Sequence, residues 1–377
     1  MIRILLSLAA VSAFASPHTP VRLDEAGFAM EHVQVRNQRS IGDCYAQAAA
    51  QFYDAWRFKL GETDYSRQSC GFEINQRFKV YVGDSSIDGG KLQEIVPLLS
   101  SQGTCAESDL NKNFIGTDVD GYASKVMEIY EAKRDEFHKK RDEEVAKLDP
   151  PWNRGEWFLY NALKRRIDTK YREEARLEGI RQLKEYHSQV LVNQITDDRL
   201  NNIEANKDVV TIFNTIDTIK CNAGTKLHAP VAFKVDHRSH TGWGMSIKSG
   251  TLSSLYYPTQ HIRTREVLER IHAELDYHKD AMPIGIGYCS AVLKQGRAFK
   301  FIYTKAKACG RHASLVIGRR ADPTDLSRQQ LLIRNTWGNN CGSYHRDWTC
   351  DGPKGSIWVD ENILAEAIFE TQVFVRK

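Results

Sequence analysis

The segment Arg36-Asn37-Gln38-Arg39-Ser40-Ile41-Gly42-Asp43-Cys44-Tyr45-Ala46 sets a cysteine at the head of a run rich in alanine and aromatic residues. The apolar spacing behind it predicts a helix over 44–59. At a helix start, free N–H groups and the macrodipole favour a thiolate, the nucleophilic form of cysteine. Gln38 stands six residues upstream, so its side-chain amide can swing toward an oxyanion forming beside the Cys44 N–H. Taken alone, such a stretch more often describes a small cysteine buried beneath a helix.

Two distant segments change that balance. Gly310-Arg311-His312-Ala313-Ser314-Leu315-Val316-Ile317-Gly318 places a histidine at the head of an apolar β-run. Leu332-Ile333-Arg334-Asn335-Thr336-Trp337-Gly338 ends a strand on an asparagine. Each is ambiguous by itself. Together, the order Gln38, Cys44, His312 and Asn335-Thr336-Trp337-Gly338 resembles the papain-like cysteine peptidases. Ile41-Gly42-Asp43-Cys44-Tyr45 is close to that family's signature around the nucleophile. Asp88-Gly89-Gly90 resembles its loop for substrate backbone, and Met282-Pro283-Ile284-Gly285-Ile286 resembles the strand before its histidine. The likeness spans about 32–112 and 266–360.

The resemblance implies an α+β, papain-like two-lobed fold, with Cys44 on a helical lobe and His312 and Asn335 on an antiparallel β lobe. By the same resemblance, Cys44 attacks the scissile carbonyl. His312 is its ion-pair partner and later protonates the leaving amine, while Asn335 orients the imidazole. Gln38 and the Cys44 N–H form the oxyanion hole. Trp337 shields the His312–Asn335 bond and counts with Gly89, Gly90, Gly287 and Arg311 among the substrate-binding residues. Glycines at 89 and 90 let an extended peptide approach, because no Cβ stands in the way. Lys91, Leu92, Gly287 and Arg311 surround the substrate side chain that precedes the scissile residue. A roomy Gly287 and a cationic Arg311 predict bulky or acidic side chains there. The chemistry needs no metal or cofactor, and its substrates are proteins or peptides.

Four departures from the family pattern stand out. Ile41 replaces a cysteine three residues before the nucleophile, so the corresponding disulfide is missing. Asp43 replaces a small residue and is expected to face solvent; turned inward, its charge would raise the thiol pKa. Arg39 replaces the glycine after the glutamine and is expected to stiffen the oxyanion loop. His312 follows Cys44 by 268 residues, against roughly 130–150 in the usual arrangement. The excess is assigned to an inserted, mainly helical segment at 113–265, a surface for a partner or for self-inhibition.

Residues 1–15 carry Arg3, an apolar run over 4–14 and Ala13-Phe14-Ala15 ahead of Ser16, the pattern of a cleaved signal peptide. That predicts secretion, to the extracellular space or a periplasm, without stable membrane insertion. Only about 20 residues then precede Gln38, too few for an inhibitory propeptide of the family's kind. Export makes disulfides the default for the eight cysteines. Cys341–Cys350 is expected from closeness, and Cys289–Cys309 from bracketing a strand pair. The stretch Tyr65-Ser66-Arg67-Gln68 before Cys70 resembles the family and implies Cys70–Cys105, leaving Cys221 over.

Length and charge bound the rest. The 377 residues are 41% apolar and 27% charged, which excludes wholesale disorder and a polytopic membrane protein. Fifty-two Lys+Arg against 48 Asp+Glu give +4, too mild a surplus to demand nucleic acid as a partner. The expected organisation is 16–112 as helical lobe, 113–265 as insertion and 266–377 as β lobe. Within the insertion, Val126, Tyr130, Phe137 and Val145, then Tyr160, Leu163, Ile167 and Tyr171, recur at helical spacing around a break at Asp149-Pro150-Pro151. A helical hairpin is predicted. Another helix is predicted at 266–275, and β-runs at 284–288, 298–303, 313–317, 331–334 and 356–359. Asn222-Ala223-Gly224-Thr225 and His237-Arg238-Ser239-His240 read as loops, the two histidines lacking a third metal ligand. Two other readings fit less of the pattern. One is an inactive papain-fold binding protein whose insertion recognises a partner; the other is a cell-wall amidase using Cys–His chemistry.

Overall fold

The computed structural model describes residues 18–83, 89–148, 154–192, 221, 225–231, 234–240, 256–300 and 309–376. The signal-peptide reading at 1–15, Asp88, the break at Asp149-Pro150-Pro151 and the run from Asn222 to Gly224 lie outside these residues. The fold is α+β, helices packed on one antiparallel sheet. Helix α1 (Cys44–Lys59) is its centre, with 13 of its 16 residues buried. Five alanines let neighbours close in on all sides, so α1 is buried around its whole circumference rather than on one stripe. It packs on α2 (Gly71–Val82) and α3 (Leu92–Gln102) and, on its other side, on the sheet. A short α4 (Glu107–Asn111) follows.

The sheet runs β2 (Val235–Ser239), β8 (Ile368–Phe374), β3 (Ile284–Cys289), β4 (Arg311–Asp322), β5 (Asp325–Arg334), β7 (Ser356–Asp360), β6 (Thr349–Asp351). A two-residue β1 (Val21–Arg22) pairs with β4. Four of the predicted runs fall within β3, β4, β5 and β7. Of the fifth, 298–303, residue 298 ends a 3-10 turn and 301–303 lie outside the described residues. The stretch after Cys289 carries helix α8 (Ala291–Gln295).

The segment 237–240 is not a loop. Residues 235–239 form the edge strand beside β8, with His237 opposite Gln372. Helix α7 (Tyr256–Leu275) starts before the expected boundary at 265, and helix α9 (Glu361–Ala367) packs on it. The two predicted long helices are α5 (Val119–Val145) and α6 (Arg154–Val190). Their base is held by a second apolar cluster in which Val126, Ile180 and Leu183 join Phe72, Cys105 and Leu110. Phe137 is buried as its spacing predicts, whereas Leu163 is exposed. The ion pair Arg141–Asp168 sets α5 to finish opposite the middle of α6, so the first turns of α6 extend past their partner.

At the hairpin base, buried His187 meets the Tyr122 hydroxyl through Nε2 at 2.9 Å. Burial pushes its imidazole down to about 4, below its ordinary 6.5. The unfolded chain therefore takes up the proton first as pH falls, and the stabilisation present above 6.5 is lost on the way to 4. Each pH unit in that window costs about 1.4 kcal/mol for such a group. His187→Gln is expected to shrink the drop in urea midpoint between pH 7 and 4.5; an unchanged drop would contradict this assignment.

Two disulfides pair as expected, Cys289–Cys309 and Cys341–Cys350. The third is a correction: Cys105 bonds Cys221, and Cys70 is free and buried. Cys70 does lie opposite Cys105, its N–H donating to the Cys105 carbonyl at 3.0 Å. Its sulfur, however, caps α2 by accepting the Glu73 N–H at 3.4 Å. Returning chain at Leu227 pairs with Thr104 and brings Cys221 to Cys105 instead. Among the described residues no helix is long and apolar enough to cross a membrane.

Candidate active site

Cys44 opens α1 and is 9% exposed. Burial, with the Asp43 charge added, pushes its thiol up to about 12, while the Ala313, Tyr45 and Cys44 amides pull the other way by bonding the sulfur. Helix α1 packs on β4, the strand carrying His312, and Cys44 and Ala313 belong to the same buried cluster. Asp43 is a correction to the expectation of a solvent-facing side chain. It is fully buried and accepts the Gln47 side-chain N–H at 3.1 Å, because the start of α1 is enclosed by the chain around it.

His312 lies opposite Tyr288 of β3 and meets Asn335 Oδ1 through Nε2 at 2.6 Å. The surrounding bonds fix the tautomer. Asn335 Nδ2 donates to the Tyr344 hydroxyl at 3.0 Å, and Oδ1 accepts from Ser314 Oγ at 3.1 Å and the Thr336 N–H at 2.8 Å. An oxygen held as acceptor requires that His312 Nε2 carry the hydrogen, which leaves Nδ1 with its lone pair. Burial holds this imidazole down at about 4, partly offset by Asn335. Burial thus disfavours the charged form of both groups, raising the thiol and lowering the imidazole.

Aromatic rings enclose the His312–Asn335 bond. Trp337 lies 5.0 Å from the imidazole, Tyr288 sits edge-on at 5.5 Å, and Tyr344 stacks on Trp337 at 5.6 Å. Gln38 reaches the same place through the chain. Its N–H donates to Thr336 O at 2.8 Å, its Oε1 accepts the Thr336 hydroxyl at 2.5 Å, and its Nε2 donates to Ile41 O at 2.8 Å. Asn37 bridges Trp337, and Gly338 donates to Arg36 O at 2.9 Å. The loop 36–38 is thus laid along 336–338.

Gly89 and Gly90 also border the start of α1. The Gly89 N–H donates to Gly42 O at 3.0 Å with φ +74°, and a Cβ at Gly90 would run into the Tyr45 ring, so local packing already requires these glycines. Leu92 reaches Gly285 on the same sheet face, while Lys91 pairs with Glu94 at 3.4 Å. Gly287 lies opposite Ala313, yet its missing side chain does not leave open room. A Cβ there would strike the Glu370 carboxylate, which comes from β8 and lies 3.5 Å from His237. Arg311, the first residue of β4 beside His312, is exposed, its guanidinium over Phe369.

Four residues of this arrangement were missed in the sequence. Ser314 carried a signal, since it shares the strand face of His312 two positions on. Tyr288, Tyr344 and Glu370 carried none, because each arrives from another element. His237 and His240 contact Glu370 and Thr371, and among the described residues no group of three or more His, Cys, Asp or Glu is arranged for a metal ion.

No family model matches the chain, and no curated protein matches it. Among solved structures it is similar to xylellain, a cysteine protease from Xylella fastidiosa, at 14% identity and a TM-score of 0.43, over 97% of this chain and 90% of that one. It is also similar to digestive procathepsin L 3 of the Tenebrio molitor larval midgut, at 9% identity and a TM-score of 0.44, over 97% and 72% of the two chains. A recombinant stem bromelain precursor gives 11%, 0.43, 97% and 72%. These likenesses are of overall shape and carry no residue roles.

Proposed function

We propose that this chain is a secreted cysteine-type endopeptidase of papain-like design. One observation carries the reading: the Asn335 network leaves His312 Nδ1 as a proton acceptor, on the strand β4 that packs against α1, the helix Cys44 opens. In the reaction, the Cys44 proton passes to His312 as sulfur attacks the peptide carbonyl. The tetrahedral oxyanion takes the Cys44 N–H and a Gln38 N–H, a contribution worth roughly 3 kcal/mol in other hydrolases. His312 then protonates the leaving amine, and water hydrolyses the thioester with the same imidazole as base. Three disulfides are compatible with export. Incubation with unfolded protein and with peptidoglycan stem peptides tests the class. Cleavage of the first supports an endopeptidase; cleavage of the second alone would favour the amidase reading.

The Glu370 carboxylate over Gly287 replaces the expected bulky-or-acidic preference with a cationic one for the side chain preceding the scissile residue. A peptide library is expected to favour Arg or Lys at that position, and Glu370→Gln to remove the preference. Selection of acidic side chains by the unsubstituted chain would overturn it.

A further inference from the structure

We propose that Arg39 is a positioning residue, fastening the loop that carries Gln38 to the first turn of α5, so that the helical hairpin holds the oxyanion side of the site. The inference rests on the peptidase reading and extends it to the hairpin. Arg39 adopts φ +51°, the left-handed region that a non-glycine residue enters only at a cost. A glycine there would remove the cost, so the arginine side chain must give something in return. Its Nη2 meets both carboxylate oxygens of Asp118 at 3.0 Å, and its N–H is held by Asn37 Oδ1 at 3.0 Å. Asp118 is also the N-cap of α5, accepting the Gly121 N–H at 2.5 Å. At Gly121 a Cβ would come within 3.0 Å of the guanidinium.

Arg36, on the other side of Gln38, is anchored to α4 and α1. It is buried and paired with Glu107 and with Asp54. The opposite edge of the loop is bonded to Thr336 and Gly338. Gln38 is therefore held between the β sheet and the hairpin base, and moving either displaces its amide. An isolated exposed ion pair contributes little. In this one a single guanidinium nitrogen meets both oxygens of a carboxylate that caps a helix, one residue from the proposed oxyanion donor.

A double-mutant cycle separates positioning from mere stability. Arg39→Gly relieves the backbone, and Asp118→Ser keeps the helix cap while losing the two-oxygen grip. Each single change is expected to lower kcat for a peptide substrate about five- to tenfold with KM within about twofold, and the double variant to fall no further. Arg39→Lys, which keeps the charge without the planar guanidinium, should be intermediate. Unchanged kcat in the single variants, or losses that multiply, would overturn the proposal. Hydrogen–deuterium exchange at 37–41 reads the same link without turnover: faster exchange in both variants supports it, and unchanged exchange refutes it. Absence of turnover in the unsubstituted chain would count against the peptidase reading, and exchange would then decide the link alone.

Discussion

His312→Ala is expected to lower kcat/KM for peptide hydrolysis by about four orders of magnitude, with the fold retained. The loss is large because the imidazole does two jobs, taking the sulfur's proton and returning it to the leaving amine. Burial already holds the thiol up at about 12, so in the proposed reaction it depends on that base to lose its proton. The fold should persist, because Asn335 Oδ1 keeps the Ser314 and Thr336 donors and Nδ2 keeps Tyr344. Added imidazole should restore part of the activity by entering the vacated space. Circular dichroism and a melting curve beside the kinetics check that only chemistry was lost. Retention of more than about a tenth of the activity would place the base elsewhere.

The second large effect is on stability. The Cys105–Cys221 bridge closes a loop of 116 residues, and joining such distant points removes much freedom from the unfolded chain. Replacing both cysteines by serine is expected to cost about 3–4 kcal/mol in urea unfolding. Cys221→Ser alone should cost less, because Cys105 then faces Cys70 across a hydrogen-bonded strand pair, a geometry a disulfide can span. Peptide mapping of that variant should find Cys70–Cys105. A double-serine variant that unfolds at the parent's urea midpoint would show that the bridge holds nothing.

The contrast between these two sites shows what the sequence could carry. Helix α1 was readable because its pattern is local: small and aromatic residues behind a cysteine, closed by Arg57 and Lys59 in the last turn. Strands β3, β4, β5 and β7 were readable for the same reason, as short apolar runs between breaks. Cys44, His312 and Asn335 each sit at the end of such an element, so their order along the chain survived translation into space. Asp43 did not, because burial of an N-cap side chain depends on what closes over it. The Cys221 pairing depends on where the chain returns after more than a hundred residues. Glu370 enters from β8 to fill the space beside Gly287, and strand order is not written in either strand. The edge strand at His237 had no apolar alternation to announce it; its pairing with β8 makes it a strand.

The hairpin changes the meaning of the departures around Gln38. Arg39 read in isolation is a stiffer substitute for glycine. Bonded to Asp118, it ties a helical element far along the chain to the loop beside Cys44. That link offers the hairpin a route to act on the site without covering it.

The most direct measurement treats the chain from Ser16 onward, and its Cys44→Ala variant, with an epoxysuccinyl active-site probe and a fluorogenic peptide near neutral pH, followed by mass-spectrometric mapping. The account predicts one label, on Cys44 and not on buried Cys70, with turnover that disappears in the variant. A folded chain that neither labels at Cys44 nor turns over the peptide would contradict it and favour a binding role for the fold.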